Sequence, residues 1–156
     1  MTKKFILVLT VIISITQLSA CASIASGKTF LEFKEQLVKK NDNPKVIVFR
    51  PDRLTGSGDT MLIFANAKDQ GELLPLGFLA FEIPMEKVVL HTDTAGIDRQ
   101  YELEAEAGQT YYFKTTFTNY VLTGAWDLIP TTEAIAITKM KELRESIKPN
   151  SILNSA

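Results

Sequence analysis

Apolar residues recur at helical spacing near both ends of the chain and at strand spacing between them. Phe30, Phe33, Leu37 and Val38 fall at i, i+3, i+7 and i+8, with Glu32, Lys34, Glu35, Lys39 and Lys40 mostly elsewhere. The spacing predicts a short amphipathic helix over about 30–40, opened by a Thr29/Glu32 capping box and closed before Asn41-Asp42-Asn43-Pro44. Such a helix covers a sheet edge or face; a partner-binding helix is the other use of the pattern. Val46-Ile47-Val48-Phe49 is a continuous apolar run, as expected of a strand buried on both faces. Pro51 stops it, and Pro51 to Thr60 forms a long connection around Gly56-Ser57-Gly58. Strands are expected at Thr60 to Ala65, Glu72 to Leu76, Phe78 to Ile83 and Lys87 to Thr92. Between them lie a turn at Lys68-Asp69-Gln70-Gly71, a bend at Gly77 and a turn at Pro84-Met85-Glu86. The third strand should be short or at an edge, because Pro75 cannot donate to a ladder.

Thr94 to Arg99 reads as a loop. Tyr101 to Glu106 and Thr110 to Thr118 read as a hairpin about Ala107-Gly108-Gln109. That register pairs Leu103 with Phe113 and Ala105 with Tyr111 on an apolar face, and sets Glu102 opposite Lys114 and Glu104 opposite Tyr112 on the other. Leu103 and Phe113 are expected to point inward as neighbours. A last strand is placed near Ala125 to Ile129. Pro130-Thr131-Thr132 then starts a helix carrying Ala136, Met140, Leu143 and Ile147, which stops before Pro149. The sum is a mainly β fold: a small antiparallel β-sandwich of about seven strands with a short N-terminal helix and a C-terminal helix.

One apolar run stands outside this pattern. Phe5 to Ile15 follows Lys3 and Lys4 and is interrupted only by Thr10 and Ser14. It has about half the ~20 residues of a membrane-spanning helix, and fits the apolar segment of a secretory signal peptide. The residues that close it, Leu18-Ser19-Ala20-Cys21, resemble the lipobox of bacterial lipoproteins. The resemblance implies cleavage before Cys21, with diacylglycerol on its sulfur and usually an acyl chain such as palmitate on its amine. An ordinary signal peptide cut near Ala20 is the alternative, and it leaves an unpaired thiol at the chain's one cysteine. Each buried CH₂ contributes about 0.8 kcal/mol, so one acyl chain binds marginally and two or three hold durably. The chain then divides into a signal peptide (1–20), a flexible tether (21–28), a single domain (29–148) and a tail (149–156). Ala22 rather than Asp after Cys21 favours the periplasmic face of the outer membrane, by a rule general to that class.

Removing residues 1–20 from 156 leaves 136, the size of one domain. Lys3 and Lys4 leave with the signal, so the net charge moves from −1 to −3. No basic patch emerges to attract nucleic acid. With one cysteine, no disulfide forms within a copy, and the fold holds by packing.

Val46 to Pro51, Gly56-Ser57-Gly58, the Gly71 turn, Phe78 to Pro84 and Ala107-Gly108-Gln109-Thr110-Tyr111-Tyr112 together resemble the bacterial lipoprotein family catalogued as domain of unknown function 2846. The likeness covers about 45–130. Members typically carry Pro-Gly where this chain has Pro84-Met85. The resemblance implies a small β-sandwich displayed in the cell envelope, and it brings no catalytic residues.

Candidate chemistry is sparse. His91 is the only histidine, which excludes a multi-histidine metal site within one chain. His91 and Asp93 share one strand face, and Ser57 could complete a hydrolase triad in principle, but no nucleophile elbow is present. A half-exposed strand histidine is the plainer reading. Gly56-Ser57-Gly58 flanked by Arg50 and Arg53 could bind an anion through backbone N–H groups, though it lacks the ending and context of a P-loop. Glu102, Glu104 and Glu106 could hold a cation, and more simply form a solvated strand face. Tyr111, Tyr112, Tyr120 and Trp126 could form a platform for glycan or peptide, as against core or hairpin packing. Tyr112 is best placed, because the register turns it away from Phe113. The expected function is a non-catalytic, lipid-anchored envelope module that binds or assembles with an envelope protein or glycan. It needs no cofactor, metal or nucleic acid, and its membrane contact runs through acylated Cys21.

Overall fold

The computed structural model describes residues 24–37, 42–51, 60–94, 97–119 and 124–146. Among them the order is α1 (Phe30–Leu37), β1 (Lys45–Phe49), β2 (Met61–Ala65), β3 (Lys68–Leu73), β4 (Gly77–Glu82), β5 (Lys87–Thr94), β6 (Ile97–Glu104), β7 (Thr110–Asn119), β8 (Gly124–Thr131), α2 (Glu133–Met140) and β9 (Arg144–Glu145). A five-stranded sheet, β8-β7-β1-β4-β9, packs on a four-stranded sheet, β3-β2-β5-β6. Pairing is antiparallel except for β1 with β7 and β4 with β9. The mainly β sandwich with two helices is therefore the fold, with nine strands among the described residues against about seven expected.

β1 is the centre of the molecule. All five of its residues are buried because a layer lies on each of its faces. Val46 and Val48 join Met61, Ile63, Leu79, Leu90 and Phe113 between the sheets. Ile47 and Phe49 turn the other way and pack with Phe30 of α1 and with Ala136 and Met140 of α2. Phe78 is the contact point for α1: Phe30 and Phe33 meet its ring edge-on at 5.5 and 5.3 Å.

Both helix starts are capped, although Pro130 and Thr131, expected to open the second helix, are the last residues of β8. Thr29 N–H and hydroxyl each donate to Glu32 Oε2 at 2.8 Å, and Glu32 N–H points back to Thr29 Oγ1 at 3.5 Å. Thr132 caps α2 by accepting from Ile135 N–H. The second helix is shorter than its spacing predicts. It ends at Met140, Leu143 is buried through a turn instead, and Arg144–Glu145 pairs with Gly77 and Phe78 of β4. The open edge of β4 explains the change, since its backbone groups need partners and β9 supplies them. Ile147 and the tail lie outside the described residues.

Three connections differ from expectation. The β2–β3 turn falls at Asn66-Ala67, both with positive φ, so Lys68 to Gly71 is strand. β3 is the edge of its sheet, as expected, but it ends at Leu73 and Pro75 lies in the turn after it. Thr94 to Arg99 is not simply a loop: β5 and β6 form a hairpin whose pairing reaches Thr94 with Ile97. The expected β6–β7 hairpin does not form. β6 pairs with β5, β7 pairs with β1 and β8, and residues 105–109 carry the chain from one sheet to the other. Leu103 and Phe113 still face one core and Glu104 is exposed, because the two strands meet face to face across the sandwich. Tyr111 closes this corner: its hydroxyl accepts from Glu106 N–H at 2.9 Å and donates to the Glu104 carbonyl at 3.2 Å.

Ala25 to Lys28, expected within a flexible tether, are instead held on the fold. Ala25 is buried, its N–H reaches the Pro75 carbonyl, and Gly27 N–H donates to the Glu145 carbonyl at 3.2 Å. Arg144 returns a hydrogen bond to the Gly27 carbonyl, and Glu145 N–H donates to that of Lys28. From Ala25 onward the segment is part of the folded edge.

Candidate functional site

Alternation along β1 places Arg50 on the inter-sheet side, after Val46 and Val48. Its side chain is fully buried, with the guanidinium carbon 4.3 Å from the centre of the Trp126 ring. A desolvated stack of this kind contributes about 2 kcal/mol. Trp126, on β8, is 2 % exposed and meets Phe117 of β7 edge-on at 5.0 Å. Thr92, on β5 of the opposite sheet, donates to the Trp126 carbonyl at 3.2 Å and ties the two sheets at this end. Thr115, also buried, lies on the inter-sheet side of β7 beside these groups, and neither Thr115 Oγ1 nor Trp126 Nε1 makes a hydrogen bond. One end of the sandwich interior is thus polar while the rest is apolar. The inward positions of Thr92 and Thr115 are readable by period two from Leu90 and Phe113, but only once the facing of each strand is known.

Two clefts open near β7. One, of about 610 Å³, is lined by Lys114, Thr116, Phe117, Lys139, Lys141 and Glu142, between β7 and the end of α2. The other, of about 550 Å³, brings Tyr101, Tyr111 and Tyr112 together with Pro130, Thr131 and Glu133. Its mixture of rings and hydroxyls is the lining that sugars and peptides take. Tyr101 of this group had no prior signal, because it reaches the cleft from the other sheet.

The aromatic platform expected from the sequence is not assembled. Trp126 is in the inter-sheet core, whereas Tyr112 is 8 % exposed on the helix-facing side of the five-stranded sheet. Adjacent strand positions point to opposite faces, and α2 covers the face that Tyr112 was expected to present. Burial pushes the Tyr112 hydroxyl up to about 12, with the Glu133 carboxylate adding to the effect. Arg50 faces the interior rather than a solvent-facing anion loop. Arg53, Ser57, Tyr120 and Cys21 lie outside the described residues.

His91 sits half-buried on the outer face of the four-stranded sheet, its ring stacked on Phe64 at 4.7 Å and 7°. Asp93 follows on the same strand, with its side chain outside the described set. Glu102 is exposed and pairs with Lys87 at 2.7 Å, which raises the lysine above its ordinary range. Among the described residues no three His, Cys, Asp or Glu side chains gather as metal ligands, and no helix is long and apolar enough to cross a membrane. No protein-family model, curated protein or solved structure matches this chain.

Proposed function

We propose that this chain is a lipid-anchored protein of the bacterial cell envelope whose sandwich serves as a non-catalytic binding or assembly module. The observation that carries the reading is Leu18-Ser19-Ala20-Cys21 at the end of a short apolar segment with a basic start. The likeness to the family catalogued as domain of unknown function 2846 points the same way, as does Ala22 for display on the periplasmic face of the outer membrane. Metabolic labelling with a fatty-acid analogue tests it. Label should enter the wild type and be lost from Cys21→Ser; equal incorporation into both removes the anchor and the location together.

The module's ligand face, on this reading, is the cleft that Tyr101 and Tyr111 share with Pro130, Thr131 and Glu133, and its ligand class is a glycan or peptide. Co-sedimentation with insoluble cell-wall glycan, comparing wild type with Tyr101→Ser, checks the glycan case. The emission of Trp126 serves as the control for folding. Equal retention of both proteins rules the cleft out as a glycan site.

A further inference from the structure

We propose that the edge of the sandwich formed by Ile24 to Lys28 and the start of α1 rests directly on the lipid bilayer. The inference deepens the anchored reading and depends on it. Ala25 is buried, and the backbone of Ala25 to Lys28 is hydrogen-bonded to Pro75, Arg144 and Glu145. Only Ala22, Ser23 and Ile24 separate that fixed point from Cys21. Four residue steps span at most about 14 Å when fully extended. A headgroup layer takes up roughly 5–8 Å of that distance. An acylated Cys21 therefore holds the start of the folded edge within roughly 6–9 Å of the headgroup surface.

The surface that must face the lipid has the composition for it. Ile24 is 39 % exposed and Leu31, at the start of α1, is 56 % exposed. Lys28 and Arg144 lie close enough to Glu32 to help hold its carboxyl below the ordinary range, behind the two Thr29 hydrogen bonds that dominate. Glu32 and Glu145 share the edge, so short reach and apolar contact, rather than net charge, hold it there.

The chain's single cysteine makes a direct test available, because acylation leaves any introduced cysteine as the one free thiol. Leu31→Cys carries a fluorescent label at the proposed face. Met85→Cys, 62 % exposed beyond the far end of β4, carries it at a control position. β4 alone separates the two ends by about 17 Å. Both full-length lipidated proteins are reconstituted into vesicles of phosphatidylethanolamine and phosphatidylglycerol bearing nitroxide-labelled lipid. The label at position 31 should lose emission several-fold more than the label at position 85, and should be shielded from an aqueous quencher. Equal quenching at both positions in protein that floats with the vesicles overturns the apposition while leaving the anchor intact. Protein that does not float overturns the anchor and this inference with it. Shielding at position 31 that persists in Cys21→Ser protein without vesicles assigns the face to a second copy of the chain, and so overturns the bilayer as its occupant.

Discussion

The Arg50 guanidinium lies 4.3 Å from the centre of the Trp126 ring, sealed between the two sheets at the end of their interface that also buries Thr92 and Thr115. Trp126 is the only tryptophan in the chain, so its emission reports on this one contact. Lysine keeps the charge but loses the flat, weakly hydrated surface that stacks on a ring. Arg50→Lys is expected to lower stability by about 2 kcal/mol and to make Trp126 more accessible to acrylamide. Urea unfolding followed by Trp126 emission measures both. An unchanged midpoint would mean that the stack contributes nothing.

The corner between β6 and β7 depends on one hydroxyl. Tyr111 accepts from Glu106 N–H and donates to the Glu104 carbonyl, locking the segment that changes sheets. Tyr111→Phe keeps the ring and removes both bonds. A loss of about 1 kcal/mol is expected, near the net contribution of ordinary hydrogen bonds at a partly exposed site. It should appear as a lower urea midpoint with an unchanged slope. A changed slope would instead mean that the compactness of one state had altered.

How far the sequence could be read depended on whether a signal was local. The apolar run of β1 and the Thr29/Glu32 box are each complete within a few residues, and both are where the pattern puts them. Facing was legible too: Leu103 and Phe113 point inward and Glu104 outward. Partnership was not. Period two says which face a residue occupies and nothing about which strand lies alongside, so a cross-sheet contact between β6 and β7 read as a hairpin. β9 was hidden for a related reason. Two residues carry no period, and only the open edge of β4 draws them into a strand. The site suffered most. The contact of Arg50 with Trp126 joins residues 76 positions apart, and Tyr101 shares a cleft with Tyr111 only because the chain crosses between sheets.

Tyr112 gives the fold an alkaline limit. Its hydroxyl is raised from the ordinary 10 to about 12 by burial, chiefly, and by Glu133. The folded state therefore holds this proton more tightly than the unfolded chain does. The stability linked to it is fully present below pH 10 and is lost as pH rises from there toward 12. Tyr112→Phe should flatten the part of the alkaline decline that belongs to this group. Urea midpoints for both proteins across that window isolate it from the other tyrosines and the lysines, which titrate in each. Parallel declines would show that Tyr112 is not protected in the folded state.

Gly77 is where the docked N-terminal segment, β4 and the residue after β9 converge. A Cβ placed on it would collide with Ser146 Oγ, and would stand 2.9 Å from both the Ala25 Cβ and the Leu74 carbonyl. The backbone oxygen cannot move aside as a flexible side chain would, so Gly77→Ala is expected to lower stability by about 1–3 kcal/mol. The damage should be local as well as global, because Ala25 and Ser146 are the neighbours with most freedom to leave. Trypsin cleavage after Lys28 under native conditions should then accelerate beyond what the global loss explains, since cleavage tracks the population of the open form. Gly108→Ala supplies the control. Gly108 has φ +71 with nothing near its Cβ, so its substitution costs about 1–2 kcal/mol in backbone strain and leaves the N-terminal edge untouched. If both variants, compared at equal loss of stability, are cut after Lys28 at the same rate, the segment is not held by its packing on Gly77. The short reach from Cys21 to the sandwich would then lose its structural basis.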